Sequence, residues 1–560
     1  LFRISCFEFR ILITVSDFVL RISNLYTLYI MSTFVFWSLM MILVFTQWAF
    51  AGVHVWAYSL MALGVFALTA LVILADMIGH FRSPSPVHVR SWLQTNPAVP
   101  WVILFILLGC VQLLPLPASV VELLSPKGYE LKALALEVTS GSEQESGWMR
   151  LSMIPYETKI QILRLFAYAC MFFLLIRLTR TRKRILSVVF VLVGMGLFQV
   201  LYGMAQAYSS VHKIWWYPVQ SGQGLVLGTY INANHLSMFL EMVIPLCFGL
   251  VFAYWPREAT RHSAGRPNGN VQPDVVSRKS VPDANNTQGR KVRVKTRSTS
   301  SARYQSSSPS PGLAQRLKKW LTTGSYREQR IIFSFVAMVL GLGLFLTGCR
   351  GGVLCFFAGT LGMALLFMSR RRFRGFGKTI FALIGAVLAY SLYVGVDVMI
   401  DTFAQQGLKN SRLDYTLSAL PMLMDYPVLG TGMGTFKEAY LQYAVPYRSG
   451  NTILYYLHND WLQVGVEVGF LGLLTVAAGY VWFMAKSIRA WFGRRNHFSI
   501  GIGGGAIAAL LAVGIHAIGE FGLRMPANAL TALAIAAVGW NALTLERSRG
   551  ARAEGPRAKG

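Results

Sequence analysis

Apolar runs of about twenty residues recur along this chain, separated by polar links. They fall at 33–53, 57–78, 99–117, 161–178, 185–208, 236–255, 330–347, 352–369, 379–396, 461–486, 499–519 and 527–545. Each matches the length an α-helix needs to cross roughly 30 Å of hydrocarbon. A segment in lipid must satisfy its backbone polar groups internally, so these runs predict helices. The expected fold is all-α: a polytopic membrane protein of about twelve transmembrane helices, with one long non-cytoplasmic loop that carries a surface helix.

Two links stand apart. Residues 258–328 are rich in Ser, Pro, Asn, Gly, Lys and Arg and poor in aromatics. Such a composition buries too little apolar surface to offset chain entropy, so a disordered basic cytoplasmic loop is expected there. Residues 397–460 are too many for a simple connector. Within them, Leu413, Leu417, Leu420 and Leu423 share one helical face, which predicts a helix over 411–424 lying on the membrane surface. Pro427 and the run Gly430-Thr431-Gly432-Met433-Gly434 end that helix in a turn-forming loop. No strand precedes the glycines, so they are not a dinucleotide fingerprint.

Charge orients this pattern. Only 14% of residues are charged, against roughly a quarter in soluble domains. The net charge of +28 is concentrated in links after even-numbered spans: Arg82 and Arg90; Arg180, Arg182, Lys183 and Arg184; 256–329; Arg370 to Lys378; Arg489, Arg494 and Arg495; Arg547 to Arg557. By the positive-inside bias, both termini and every basic loop face the cytoplasm. The opposite face then carries the acid-rich link 118–160, 209–235, the turn 348–351, 397–460 and 520–526. Basic residues confined to short inter-span clusters argue against a nucleic-acid partner and for membrane lipid.

The chain therefore divides into 31–184, a first set of transmembrane helices; 185–257 with 329–546, a second transmembrane domain; and 547–560, a basic cytoplasmic tail. Residues 1–30 interrupt apolar positions with Arg3, Glu8, Arg10, Asp17 and Arg21, and the first Met is Met31. They are expected to be an untranslated or disordered extension. The six cysteines lie mostly in apolar segments and form no Cys-x-x-Cys pair, so their spacing indicates neither a disulfide framework nor a zinc site.

Candidate chemistry gathers at the outward ends of the spans. Gly228-Thr229-Tyr230-Ile231-Asn232-Ala233-Asn234-His235 leads into one span, Arg350 stands at a tight turn, and Arg412 opens the surface helix. His458 and Asn459 open the tenth span, with Glu467 two turns inside it. His516, Glu520, Arg524 and Asn528 surround the last outer turn. Ionisable groups at such depths are costly and mark candidate sites.

As a set these segments resemble the O-antigen ligase family over about 185–545. The resemblance rests on His458-Asn459-x-x-Leu462-x₆-Gly469, the Arg350-Gly351-Gly352 turn, Asp425-Tyr426-Pro427-Val428-Leu429-Gly430-x-Gly432, and the segments 228–235 and 516–528. Cys349 stands where the family more often has Ser, and Gly522 where an amide residue is common. The resemblance implies glycan transfer from a polyprenyl-diphosphate carrier, of the undecaprenyl type, to an acceptor hydroxyl at the periplasmic face of a bacterial inner membrane. The acceptor would be a glycolipid, a growing glycan or a protein, and no metal or cofactor is implied. His458 would be the base; Arg350 and Arg412 would clamp the diphosphate. Asn232, Asn234, His235, Asn459, Glu467, His516, Glu520 and Arg524 would line the site. His is suited to proton transfer near neutral pH and Arg to bidentate phosphate contacts.

Plainer roles exist for the same residues. A polar side chain at a helix start caps it. Arg350 can snorkel to the interface, Arg412 can meet lipid headgroups, and Glu467 can be the buried partner of an Arg. Gly465 and Gly469 form a helix-packing face. An O-antigen or exopolysaccharide polymerase and a protein O-oligosaccharyltransferase share the donor chemistry. From another class, twelve spans split by a central loop, with Asp76, Gly79 and Arg82 after the second, also fit a secondary transporter. Its site would sit near the bilayer midplane.

Overall fold

A computed structural model describes residues 30–82, 96–140, 147–209, 213–219, 224–255, 326–382, 385, 411–444 and 454–553. Among the described residues, ten helices are long and apolar enough to cross a membrane, and β structure is confined to two-residue pairings. The protein is an all-α polytopic membrane protein. Residues 1–254 with 330–560 form one compact unit and 255–329 another, of which 256–325 lie outside the described residues. Residues 1–29, most of the expected span 379–396, and 397–410 lie outside them as well.

In chain order the helices are α1 (Ile30–Trp48), α2 (Val55–Arg82), α3 (Val99–Leu113), α4 (Ala118–Leu124), α5 (Pro126–Ser140), α6 (Pro155–Leu178) and α7 (Arg182–Ala207). Then follow α8 (Ala233–Ala253), α9 (Tyr326–Leu346), α10 (Arg350–Met368), α11 (Ser411–Asp425), α12 (Asp460–Phe492), α13 (His497–His516) and α14 (Pro526–Ala553). The link 118–160 is not bare connector: α4 and α5 fold within it. Residues 547–553, expected as tail, continue α14.

The expected span 99–117 is cut to the 15 residues of α3, about 22 Å at 1.5 Å per residue. The cause is local. Leu114 precedes Pro115 and is forced into extended backbone (ψ 135°), which ends the helix.

The bundle is built around α8 and α13. Of their most apolar stretches 94% and 83% of residues are buried, against 22% in α2, so these two are interior helices and α2 is peripheral. They approach closely because both present glycine at the crossing: a Cβ on Gly249 would stand 2.5 Å from the Gly501 carbonyl oxygen. Outward positions such as Met41, Leu63, Leu354, Leu474 and Val481 are exposed and apolar, as a lipid-facing surface requires. Arg177 at the end of α6 holds Asp76 of α2 in a bidentate pair at 2.5 and 2.6 Å, which occupies the aspartate of the transporter-like motif.

The glycine-rich loop after α11 decides the shape of α12. Gly469 interrupts that helix in the left-handed region (φ 71°), and its Cα packs on the backbone of Val428 and Leu429. The freed carbonyls of Val466 and Glu467 accept from the amides of Thr431 and Gly432, both at 3.0 Å, and Phe470 N donates to Pro427 O at 2.7 Å. Gly430, Gly432 and Gly434 all have positive φ, so the expected turn chemistry holds. The expected packing face of Gly465 and Gly469 is corrected: Gly469 is a kink seated on a loop, and Gly465 lies against Leu423 of α11. On α11, Leu413, Leu417 and Leu420 are exposed while Ala419, Met422 and Leu423 are buried against Phe436, Tyr440 and Leu457. Three of the four predicted leucines thus form an outward apolar stripe, and Leu423 turns inward.

Candidate functional site

The N-termini of α8, α12 and α14, the C-terminus of α13 and the start of α11 meet at one end of the bundle. Two of these starts are set locally. Asn232 caps α8 by accepting from Asn234 N at 2.8 Å. Asn459 caps α12 by accepting from Leu462 N at 2.9 Å. Both side chains satisfy amides that a helix start leaves without intrahelical partners, and Asn459 is thereby occupied in capping.

At the centre is Glu520, in the turn between α13 and α14. Its side chain is fully buried. One oxygen stands 2.8 Å from His458 Nδ1 and also accepts from Phe521 N at 3.2 Å. The other accepts from Asn234 Nδ2 at 2.9 Å and pairs with Arg412 at 3.1 Å. Burial alone would push its pKa up. The hydrogen bond from His458 and the positive charge of Arg412 outweigh it and hold the group at about 2. The carboxylate therefore stays ionised near neutral pH and accepts from Nδ1–H of His458. That fixes the imidazole tautomer and leaves Nε2 as the acceptor nitrogen. Phe521 packs edge-on against both His458 and His235, with ring centroids 4.8 Å apart in each case.

Arg412, 40% exposed at its side chain, also donates to Gly519 O at 3.3 Å, so part of its donor set is spent on the turn. Arg350, the first residue of α10, is exposed and makes no hydrogen bond or ion pair with any described residue. Its neighbour Gly351 lies against His516, with a Cβ position 3.3 Å from Nε2. The two cations expected to clamp the diphosphate thus differ: Arg412 is tied to the carboxylate, and Arg350 has no side-chain partner among the described residues.

A second cluster lies beside the first. Arg524 donates to Glu467 at 2.9 Å and stands 3.4 Å from Asp460, while Gln463 donates to Glu467 at 2.9 Å. Burial by itself would lower the Arg524 pKa, but the charges of Glu467 and Asp460 raise it above its ordinary value. The amide of Asp460 also donates to Ala517 O at 2.8 Å, and Leu523 N donates to Asp460. The turn 517–524 is therefore held from α8, α11 and α12 together. His235 is buried, and its carbonyl accepts from Asn528, which in turn accepts from Tyr230.

Three pairings escaped the sequence. Glu520 joins His458, Arg412 and Asn234, not its chain neighbours His516 and Arg524. His516 pairs with Glu241 of α8 at 3.0 Å. Asp460 shares Arg524 with Glu467. For Glu241 a signal existed: an acid in the middle of an apolar span needs a partner.

Next to the second cluster runs a cavity of about 430 Å³, almost wholly apolar, between α3, α6, α12 and α14. Its lining extends along α12 from Asp460 and Glu467 to Phe483, about six helical turns. Arg164 and Arg524 also border it.

Residues 334–477 match the O-antigen ligase family model, and this supports placing the chain in an O-antigen ligase family. The matched segment holds Arg350, Arg412, His458, Asn459 and Glu467; the acidic partner Glu520 and the Asn232–His235 segment lie outside it. No curated protein matches the chain.

Proposed function

We propose that this protein is an O-antigen ligase-like glycan transferase that moves a saccharide from a polyprenyl-diphosphate carrier to an acceptor hydroxyl at the periplasmic face of a bacterial inner membrane. The observation that carries this reading is the His458–Glu520 dyad, with Arg412 on the same carboxylate, at one end of the bundle.

In the proposed step the acceptor oxygen attacks the anomeric carbon and the bond from that carbon to the diphosphate breaks. The electron pair leaves on the carrier diphosphate, and the hydroxyl proton passes to His458 Nε2. A single displacement inverts the anomeric centre. Glu520 stabilises the imidazolium that forms, as an oriented carboxylate does for a general base. Arg350, with no partner among the described residues to give up, meets the growing charge on the leaving group, and Arg412 contributes its exposed donors. The apolar cavity beside α12 suits the carrier's isoprenoid chain, with Arg164 and Arg524 near its polar end. No residue in this scheme calls for a metal at the reacting centre. A polar cluster at one end of the bundle speaks against a transporter, whose site would lie midway.

Deleting the gene and comparing lipopolysaccharide, exopolysaccharide and protein glycans on gels tests the reading. Loss of capped lipopolysaccharide identifies the ligase. Shortened chains point to a polymerase, unmodified proteins to a protein glycosylator, and three unchanged patterns overturn the proposal.

Glu520 also gives a pH prediction. Its folded pKa of about 2 lies below the ordinary 4.5. Its stabilising contribution is therefore complete above the ordinary value, declines as pH falls below it, and is gone once pH has fallen through about 2. Glu520→Gln is expected to lower transfer by about 10²-fold at neutral pH, measured as single-turnover transfer beside a thermal unfolding curve. Full transfer by a normally folded variant would remove Glu520 from the dyad.

A further inference from the structure

Beneath the dyad, Glu241 of α8, Cys355 of α10 and His516 of α13 converge in the interior of the bundle. One carboxylate oxygen, one thiol sulfur and one imidazole nitrogen lie within 4.8 Å of one another. All three residues are buried: Glu241 is 0% exposed, His516 3% and Cys355 7%. Cys349, the buried cap of α10, lies outside this group of three, two residues before Gly351, which packs against His516. We infer that Glu241, Cys355 and His516, with Cys349 available as a fourth ligand, form a zinc site that staples α8, α10 and α13 together.

The chemistry of the donor set supports this. Thiolate, imidazole and carboxylate are the three protein ligand types of zinc, and structural sites take four of them. Around tetrahedral zinc the donor atoms lie about 3.3–3.8 Å apart at ordinary bond lengths. The cluster therefore needs to contract by roughly an ångström, within reach of side-chain rotation.

An ion pair between Glu241 and a protonated His516 is the arrangement without metal, and it leaves polar atoms stranded. Glu241 Oε1 and His516 Nε2 are buried with no hydrogen-bond partner among the described residues. Orphaned buried polar groups, here a carboxylate oxygen and an imidazole N–H, are costly, and a bound ion reduces that cost. On binding, each coordinating thiol gives up its proton to solvent and zinc–sulfur bonds form, so uptake is accompanied by proton release.

Cysteine spacing in the chain gave no hint of this, because the ligands come from three separate helices. The consequence for the molecule is positional. His516 ends α13 four residues before Glu520, so anchoring His516 fixes the turn on which Glu520 stands. The inference rests on these contacts and does not depend on the transfer reaction.

The test uses the full-length protein, expressed with added zinc and purified in detergent. Elemental analysis is expected to find one equivalent of zinc per chain. Cobalt substitution is expected to give a thiolate-to-metal charge-transfer band together with tetrahedral visible bands. Glu241→Gln, which keeps the size and hydrogen-bonding ability of the side chain, and Cys355→Ser should each weaken zinc retention at least tenfold in a chelator competition. Cys355→Ser should also remove or reduce the charge-transfer band. A monodisperse wild-type protein that holds no zinc and shows no cobalt band would overturn the site. So would metal that is retained equally by both variants, since it would be bound elsewhere.

Discussion

Replacing His458 with alanine is expected to abolish most glycan transfer while leaving the protein inserted and folded. A positioned general base contributes about 10²–10⁴-fold to a rate, and His458→Ala should lose transfer within that range. The side chain is only partly buried and its partner Glu520 keeps Arg412 and Asn234, so the carboxylate is not left unpaired. The measurement is single-turnover transfer from a lipid-linked donor in proteoliposomes, beside a thermal unfolding curve. Full transfer by a normally inserted variant would remove His458 from the role of base. Loss of transfer with a collapsed unfolding midpoint would identify it as structural.

Arg524→Met is expected to show the largest loss of stability at this end of the bundle. The arginine is the shared cation of Glu467 and Asp460, whose side chains are 3% and 9% exposed. Methionine fills much of the same volume but leaves two buried carboxylates facing each other without a cation. Removing one partner of a buried ionic group costs about 3–5 kcal/mol. Thermal unfolding in detergent should therefore show a clearly lowered midpoint, with transfer reduced through the displaced turn 517–524. Adding Glu467→Gln and Asp460→Asn to the same protein should recover much of the midpoint, because the charges that needed Arg524 are gone. A single variant as stable as wild type would mean that water or another cation serves these carboxylates.

The membrane spans were legible because their signal is local. A run of about twenty apolar residues has few options in lipid, and ten of the expected runs became helices long enough to cross. Of the other two, 379–396 lies mostly outside the described residues, and the shortened α3 was legible in retrospect from Pro115. Asn232 and Asn459 belong to the same class: each cap closes within two or three residues of itself. The acid–base pairings were not legible in this way. Glu520 had His516 and Arg524 within four residues and took neither, reaching His458 across 62 residues and Asn234 across 286.

Sequence by itself thus determined a helical membrane protein and a collection of polar residues near helix ends. It also supplied the kinked loop's glycines and the need of Glu467 for a cationic partner. Tertiary structure decided which arginine met which acid, that Arg412 was shared while Arg350 met no partner among the described residues, and that Glu241, Cys355 and His516 came together. The physical reason is that hydrophobic periodicity and capping act over a few residues of chain. Charge pairing depends on distance in space, and the packing of α8 against α13 through Gly249 and Gly501 sets those distances.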